Sequence, residues 1–147
     1  MQPNRILPDL QCSLVCQDVR QEANGNLILI GIMQFIPVPE TPIAAAQILV
    51  FNRWAAGVGQ FSDTVRLIGP DQTTVVAKSD IKFALQHPHA CATNVNVLRN
   101  VEFKAPGVYF IEVLVDDVLK LRYPLPVAVP QKQPAPGATQ ISPTTTQ

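Results

Sequence analysis

Charge is scarce in this 147-residue chain: 15% of its residues are Asp, Glu, Lys or Arg, and eleven of each sign cancel to a formal net charge of zero at pH 7. Without a basic face there is no electrostatic footprint for a phosphate backbone, so nucleic acid is not an expected partner. Cysteine is scarce too. Cys12, Cys16 and Cys91 cannot all pair within one chain, and an odd count without an export signal favours reduced thiols and a cytoplasmic protein. Long apolar runs are missing: Gln34, Pro37 and Pro39 break up the greasiest stretch before it reaches the roughly 20 residues that span a bilayer. Asp9 interrupts the one stretch that could begin a leader. Neither a membrane span nor a secretory signal is expected. The chain also has no Gly-x-Ser-x-Gly elbow, no glycine-rich phosphate loop and no Cys/His pair with an evident third member, which disfavours an enzyme and implies no cofactor.

What the chain does have is 47% hydrophobic residues and fourteen prolines, with no extended apolar stripe at helical spacing and no internal repeat. The apolar pattern has period two. In 74–84, Val75, Ala77, Ile81 and Phe83 oppose Lys78, Asp80 and Lys82; in 107–115, Tyr109, Ile111, Val113 and Val115 share a face; in 118–123, Leu119, Leu121 and Tyr123 oppose Lys120 and Arg122. Segments 47–54 and 61–68 are rich in Ile, Val, Phe and Trp, and Gly69-Pro70-Asp71 ends the second with turn chemistry. In 93–104, Val95 and Val97 are expected to share a face with Val101 and Phe103, with a bulge near Leu98. Pro124 and Pro126 place the last strand at a sheet edge or end it there, and they offer a candidate assembly surface.

Asn24-Gly25 lies between the strand-like 12–22 and 27–36 and predicts a two-residue type I′ hairpin. In that register Arg20 faces Leu29, Asp18 faces Gly31, Cys16 faces Met33 and Leu14 faces Phe35. Because 27–36 is apolar on both faces, it is expected to be a central strand. The expected fold is an all-β antiparallel sandwich of immunoglobulin-like architecture, with about seven or eight strands, in residues 1–129. Residues 130–147, rich in Pro, Gln and Thr and lacking an apolar face, are expected to be a disordered tail.

Three polar groupings are candidates for chemistry. His87, His89 and Cys91 alternate, so extended backbone would point all three side chains the same way, toward a metal that Cys12 and Cys16 could help hold; the spacing matches no established zinc pattern, and Pro88 suggests a loop. Asp18, Arg20 and Glu22 form a charged row on one strand face, either a recognition stripe or a structural group in which Arg20 bridges two carboxylates. Asp116-Asp117 near Glu112 would suit calcium, but a hairpin turn accounts for both aspartates. Trp54, Phe51 and Phe61 are expected to fill the space between sheets, and the Tyr109 hydroxyl to bond a nearby turn.

The stretch Cys16-Gln17-Asp18-Val19-Arg20-Gln21-Glu22, followed by Asn24-Gly25-Asn26-Leu27-Ile28-Leu29-Ile30-Gly31, resembles the opening of a family of small bacterial proteins defined only as a domain of unknown function. Pro106-Gly107-Val108-Tyr109 with Val113-Leu114-Val115-Asp116-Asp117 is similar to that family's closing hairpin, although the family pattern more often has Gly where this chain has Asp117. The resemblance covers about residues 1 to 129 and implies a bacterial, cytoplasmic protein with no established catalytic residues. The expected function is therefore a binding or interaction module that engages an unidentified protein or self-associates. The competing expectation is a small enzyme or a metal-binding subunit using His87, His89 and Cys91.

Overall fold

The computed structural model describes residues 5–130. Nine strands are present among them: β1 (Asp9–Gln21), β2 (Leu27–Ile32), β3 (Ile36–Pro37), β4 (Ile43–Ala55), β5 (Gly59–Ile68), β6 (Val75–Leu85), β7 (Cys91–Phe103), β8 (Gly107–Val115) and β9 (Val118–Ala128). This is slightly more than the composition suggested; the extra strand, β3, is two residues long. The tail expectation for 130–147 falls, beyond Pro130, outside the described residues.

The strands form a four-stranded sheet, ordered β2-β1-β4-β7, and a five-stranded sheet, ordered β3-β9-β8-β5-β6. All pairings are antiparallel except β3 with β9. The two sheets share one core. Val50 and Trp54 from β4 and Leu98 from β7 meet Phe61, Val65 and Leu67 from β5 and Ile111, Val113 and Val115 from β8. Period-two burial places these side chains inward, since alternate residues of a strand leave on opposite faces.

In β7 the inward row is not the expected one. Asn94, Asn96 and Leu98 point inward, then Val101 and Phe103 do. The irregularity lies at Asn100, which has a φ of 55° and interrupts the register with β4, leaving Arg99 and Asn100 outward in succession. An extra residue of this kind switches the parity of the face, so Val95 and Val97 lie on the other side from Val101.

The β1–β2 hairpin forms, but one residue out of the expected register. Gln21 pairs with Leu27, Arg20 with Ile28, Asp18 with Ile30 and Cys16 with Ile32. The Gly25 N–H donates to the Glu22 carbonyl, the Glu22 N–H donates to the Asn26 carbonyl, and only Gly25, with a φ of 94°, occupies the left-handed region. Ala23-Asn24-Gly25 is thus a three-residue loop in which glycine supplies the bulge, and Asn24 is free of the positive φ that a type I′ turn demands. A one-residue slip moves every partner: Asp18 faces Ile30, not Gly31.

β2 is an edge strand, not a central one. Leu27 is 37% exposed, Ile28 43% and Ile32 56%, and Phe35 just beyond is 50% exposed.

Candidate functional site

Among the described residues, the charge on each sheet edge that lacks a full partner strand separates β2 from the others. The outer edge of β9 meets β3 only at Val127 and Ala128, and the rest of the strand carries Lys120 and Arg122 and then Pro124 and Pro126. β6 carries Lys78, Asp80 and Lys82, and β7 carries Arg99 and Glu102. Charged side chains and prolines discourage another strand from pairing with an edge. β2 has neither, and no ionisable residue occurs from Ala23 to Pro39.

The backbone of β2 is oriented for pairing. Since Glu22 and Asn26 form a hydrogen-bonded pair, alternation along an antiparallel ladder makes 20–28 and 18–30 the next such pairs. The N–H and C=O groups of Leu27 and Leu29 therefore face away from β1. At the C-terminal end of β2, a groove of about 340 Å3 is lined by Gln17, Ile32, Met33, Gln34, Phe35 and Pro37. Gly31, with a φ of 67°, lets the chain kink there, and a Cβ on it would collide with the Gln17 side chain. A strand edge beside a side-chain groove is the arrangement by which extended segments are recognised: backbone bonds hold them, and pockets select them.

The charged row borders this edge. Arg20 Nε donates to Asp18 Oδ2 at 3.0 Å, the Val19 N–H donates to Asp18 Oδ1 at 2.9 Å, and these bonds hold the Asp18 carboxyl below its ordinary value. Arg20 does not bridge two carboxylates, because Glu22 enters no ion pair among the described residues. The sequence-based expectation of a three-membered group is reduced to a pair.

The metal candidates do not assemble. His87 and His89 lie in the β6–β7 turn, where the Ala90 N–H donates to the His87 carbonyl, and Cys91 opens β7 with Arg53 Nη2 3.6 Å from its sulfur. Cys16 is buried on β1. Among the described residues no three His, Cys, Asp or Glu side chains come close enough to hold a metal ion, so the turn does not deliver the alternation that extended backbone would have given. Calcium at Asp116-Asp117 fails on Glu112, whose carboxylate takes Arg66 at 2.7 Å and Arg122 at 3.2 Å. Asp116 Oδ1 accepts the Ser62 N–H at 2.9 Å, and Oδ2 pairs with Arg5.

Two of the three aromatics expected between the sheets are there: Trp54 is fully buried and stacks on Phe83, and Phe61 joins the same core, whereas Phe51 alternates with inward Val50 and Asn52 and so lies on the outer face of β4. The Tyr109 hydroxyl donates to the Ala105 carbonyl at 2.8 Å, as expected. Trp54 also leads to a group that reading for motifs missed. Its Nε1 donates to Asp63 Oδ2 at 2.9 Å, and the same oxygen accepts Asn94 Nδ2 at 2.9 Å and Asn96 Nδ2 at 3.2 Å. Asn52 Nδ2 reaches Asp63 Oδ1 at 3.1 Å, while Asn52 Oδ1 has no donor. Asp63, Asn52 and Asn96 are wholly buried, and among the described residues no cation bonds the carboxylate. The group joins β5 of one sheet to β4 and β7 of the other. Its sequence signal was polar residues in inward rows: Phe61-x-Asp63-x-Val65 and Val50-x-Asn52-x-Trp54.

No curated protein matches the chain, but a family model covers residues 11–128, from β1 through the last residue of β9. The chain belongs to the family of unknown function (DUF6941).

Proposed function

We propose that this chain is a non-catalytic interaction module that takes an extended segment of a protein partner onto the free edge of β2. The observation that carries this reading is an edge strand with no charge and no proline, flanked by exposed Ile32 and Phe35, in a domain whose other long edges carry charged side chains. A protein partner is favoured over nucleic acid by the zero formal charge. We further propose an immunoglobulin-like sandwich, supported by the two mainly antiparallel sheets and by the Tyr109–Ala105 hydrogen bond at a strand corner. A bacterial cytoplasmic setting is supported by three free cysteines and the resemblance described above. No helix among the described residues is long and apolar enough to cross a membrane.

The test is affinity capture from the native cell with the wild-type chain and with Ile32→Lys. A partner retained by the wild type and lost by the variant is the expected result. Identical partners on both would remove β2 from the function.

A further inference from the structure

Resting on the strand-addition reading, we infer that the occupant of the β2 edge is β2 of a second copy, paired antiparallel about a two-fold axis at Leu29. An antiparallel strand must bring outward-facing backbone opposite outward-facing backbone, and in β2 that is the backbone of Leu27 and Leu29. With Leu29 opposite its own counterpart, Leu27 faces Gly31 of the other copy and Ile28 faces Ile30. The match is one of polarity, since every residue of β2 is uncharged and apolar.

Electrostatics permits the pairing. With the two-fold axis at Leu29, a charge close to the axis would meet its like, and one farther out would be set unpaired against an apolar residue. From Ala23 to Pro39 there is none. An acidic or basic partner segment would find nothing on β2 to select it, whereas an uncharged apolar strand is matched along its length. β2 is itself such a strand.

The size of the contact sets its strength. Given their exposures, Leu27, Ile28, Ile32 and Phe35 offer on the order of 400 Å2 per copy. Two copies therefore bury at most about 800 Å2, below the roughly 1,000–1,200 Å2 of stable specific interfaces and in the range of weak, transient ones. The pair forms as concentration rises and is not obligate.

Sedimentation velocity of the full chain over a hundredfold concentration range tests this. The expected result is a shift from one to two chains, displaced at least tenfold in concentration by Ile28→Lys, an exposed site. Leu29→Pro removes an outward N–H that β1 does not use, and it is expected to act similarly; if that variant fails to fold, Ile28→Lys still gives the answer. In a Cys91→Ser background, a short bismaleimide should join Leu29→Cys copies efficiently and Ile32→Cys copies poorly. A single chain at every concentration would overturn self-pairing. If Ile32→Lys still lost a captured partner, strand addition would survive with a different occupant; if it did not, both would fall. A single chain whose β2 amides nonetheless resist hydrogen exchange would assign the edge to another part of the same chain, also overturning self-pairing.

Discussion

Among the described residues only neutral donors hold the Asp63 carboxylate, and this exposes the packing of the two sheets to a single substitution there. Asp63→Asn preserves the size of the side chain but replaces one acceptor oxygen with an amide that donates. That amide would face the N–H groups of Trp54, Asn94 and Asn96 or of Asn52, leaving buried donors without acceptors. Each such donor costs about 1–3 kcal/mol, so a loss of about 2–5 kcal/mol is expected from urea unfolding, a large share of the roughly 5–15 kcal/mol of an ordinary domain. Asp18→Asn, at the exposed hairpin, should barely move the midpoint. Thiols give a second test at this scale. Cys91 is exposed, Cys12 is partly covered, and burial, with Asp18 adding to it, pushes the Cys16 thiol up. Since the thiolate is the reactive form, maleimide labelling followed by mass measurement should proceed in the order Cys91, Cys12, Cys16, the last only on unfolding. The Asp63 group was hard to read beforehand because a polar residue in an apolar row is noticed only once the partner rows are known. Asn52, Asp63 and Asn94 stand far apart in sequence, and only the sheet order brings them together.

At the scale of the element, alternation showed where the strands are and which side chains most of them bury, as in β8, where the expected row of Tyr109, Ile111, Val113 and Val115 is buried. Register and neighbours were less legible, for two physical reasons. Asn-Gly suits both a two-residue and a three-residue hairpin, because each puts glycine in the left-handed region; the difference lies in the backbone of Asn24, which the residue type leaves open. A strand apolar on both faces looks the same whether protein or an absent partner covers it, which is why β2 read as central. The closing hairpin offers a test. Asp116 and Asp117 have φ values of 47° and 67°, the left-handed pair of a type I′ turn without glycine. The two aspartates should part company on substitution. Asp117→Gly relieves the backbone and is expected to stabilise by roughly 0.5–1 kcal/mol. Asp116→Gly gives the same relief but loses the bonds to Ser62 and Arg5, so thermal unfolding should show no comparable gain.

The whole molecule is held by contacts between sheets, and its two tyrosines both sit in such contacts, so alkali should act on the fold as a unit. Tyr123, on β9, shares a hydrogen bond of 2.9 Å with Ser13 on β1; burial pushes its phenol up to about 12, against the partial offset of that bond. Tyr109, packed edge-on against Phe103 of the opposite sheet, is also raised by burial. A phenol whose folded value lies above its unfolded value of about 10 stabilises the fold in its neutral form. That contribution is complete below pH 10 and is lost as pH rises toward 12. For Tyr123 the loss amounts to about 2–3 kcal/mol. The acid side is gentler. Asp71, held down to about 2 by the Thr74 hydroxyl and the N–H groups of Thr73 and Thr74, contributes above its unfolded value and loses that contribution as pH falls toward 2, but it is exposed to solvent and its effect is screened. Tyrosinate absorbance of the folded chain should therefore stay silent near pH 10 and appear together with the loss of β-sheet circular dichroism. In Tyr123→Phe the alkaline decline of the urea midpoint should become shallower. A wild-type chain that ionised both phenols near pH 10 while its sheets remained intact would show that neither hydroxyl is sequestered between them.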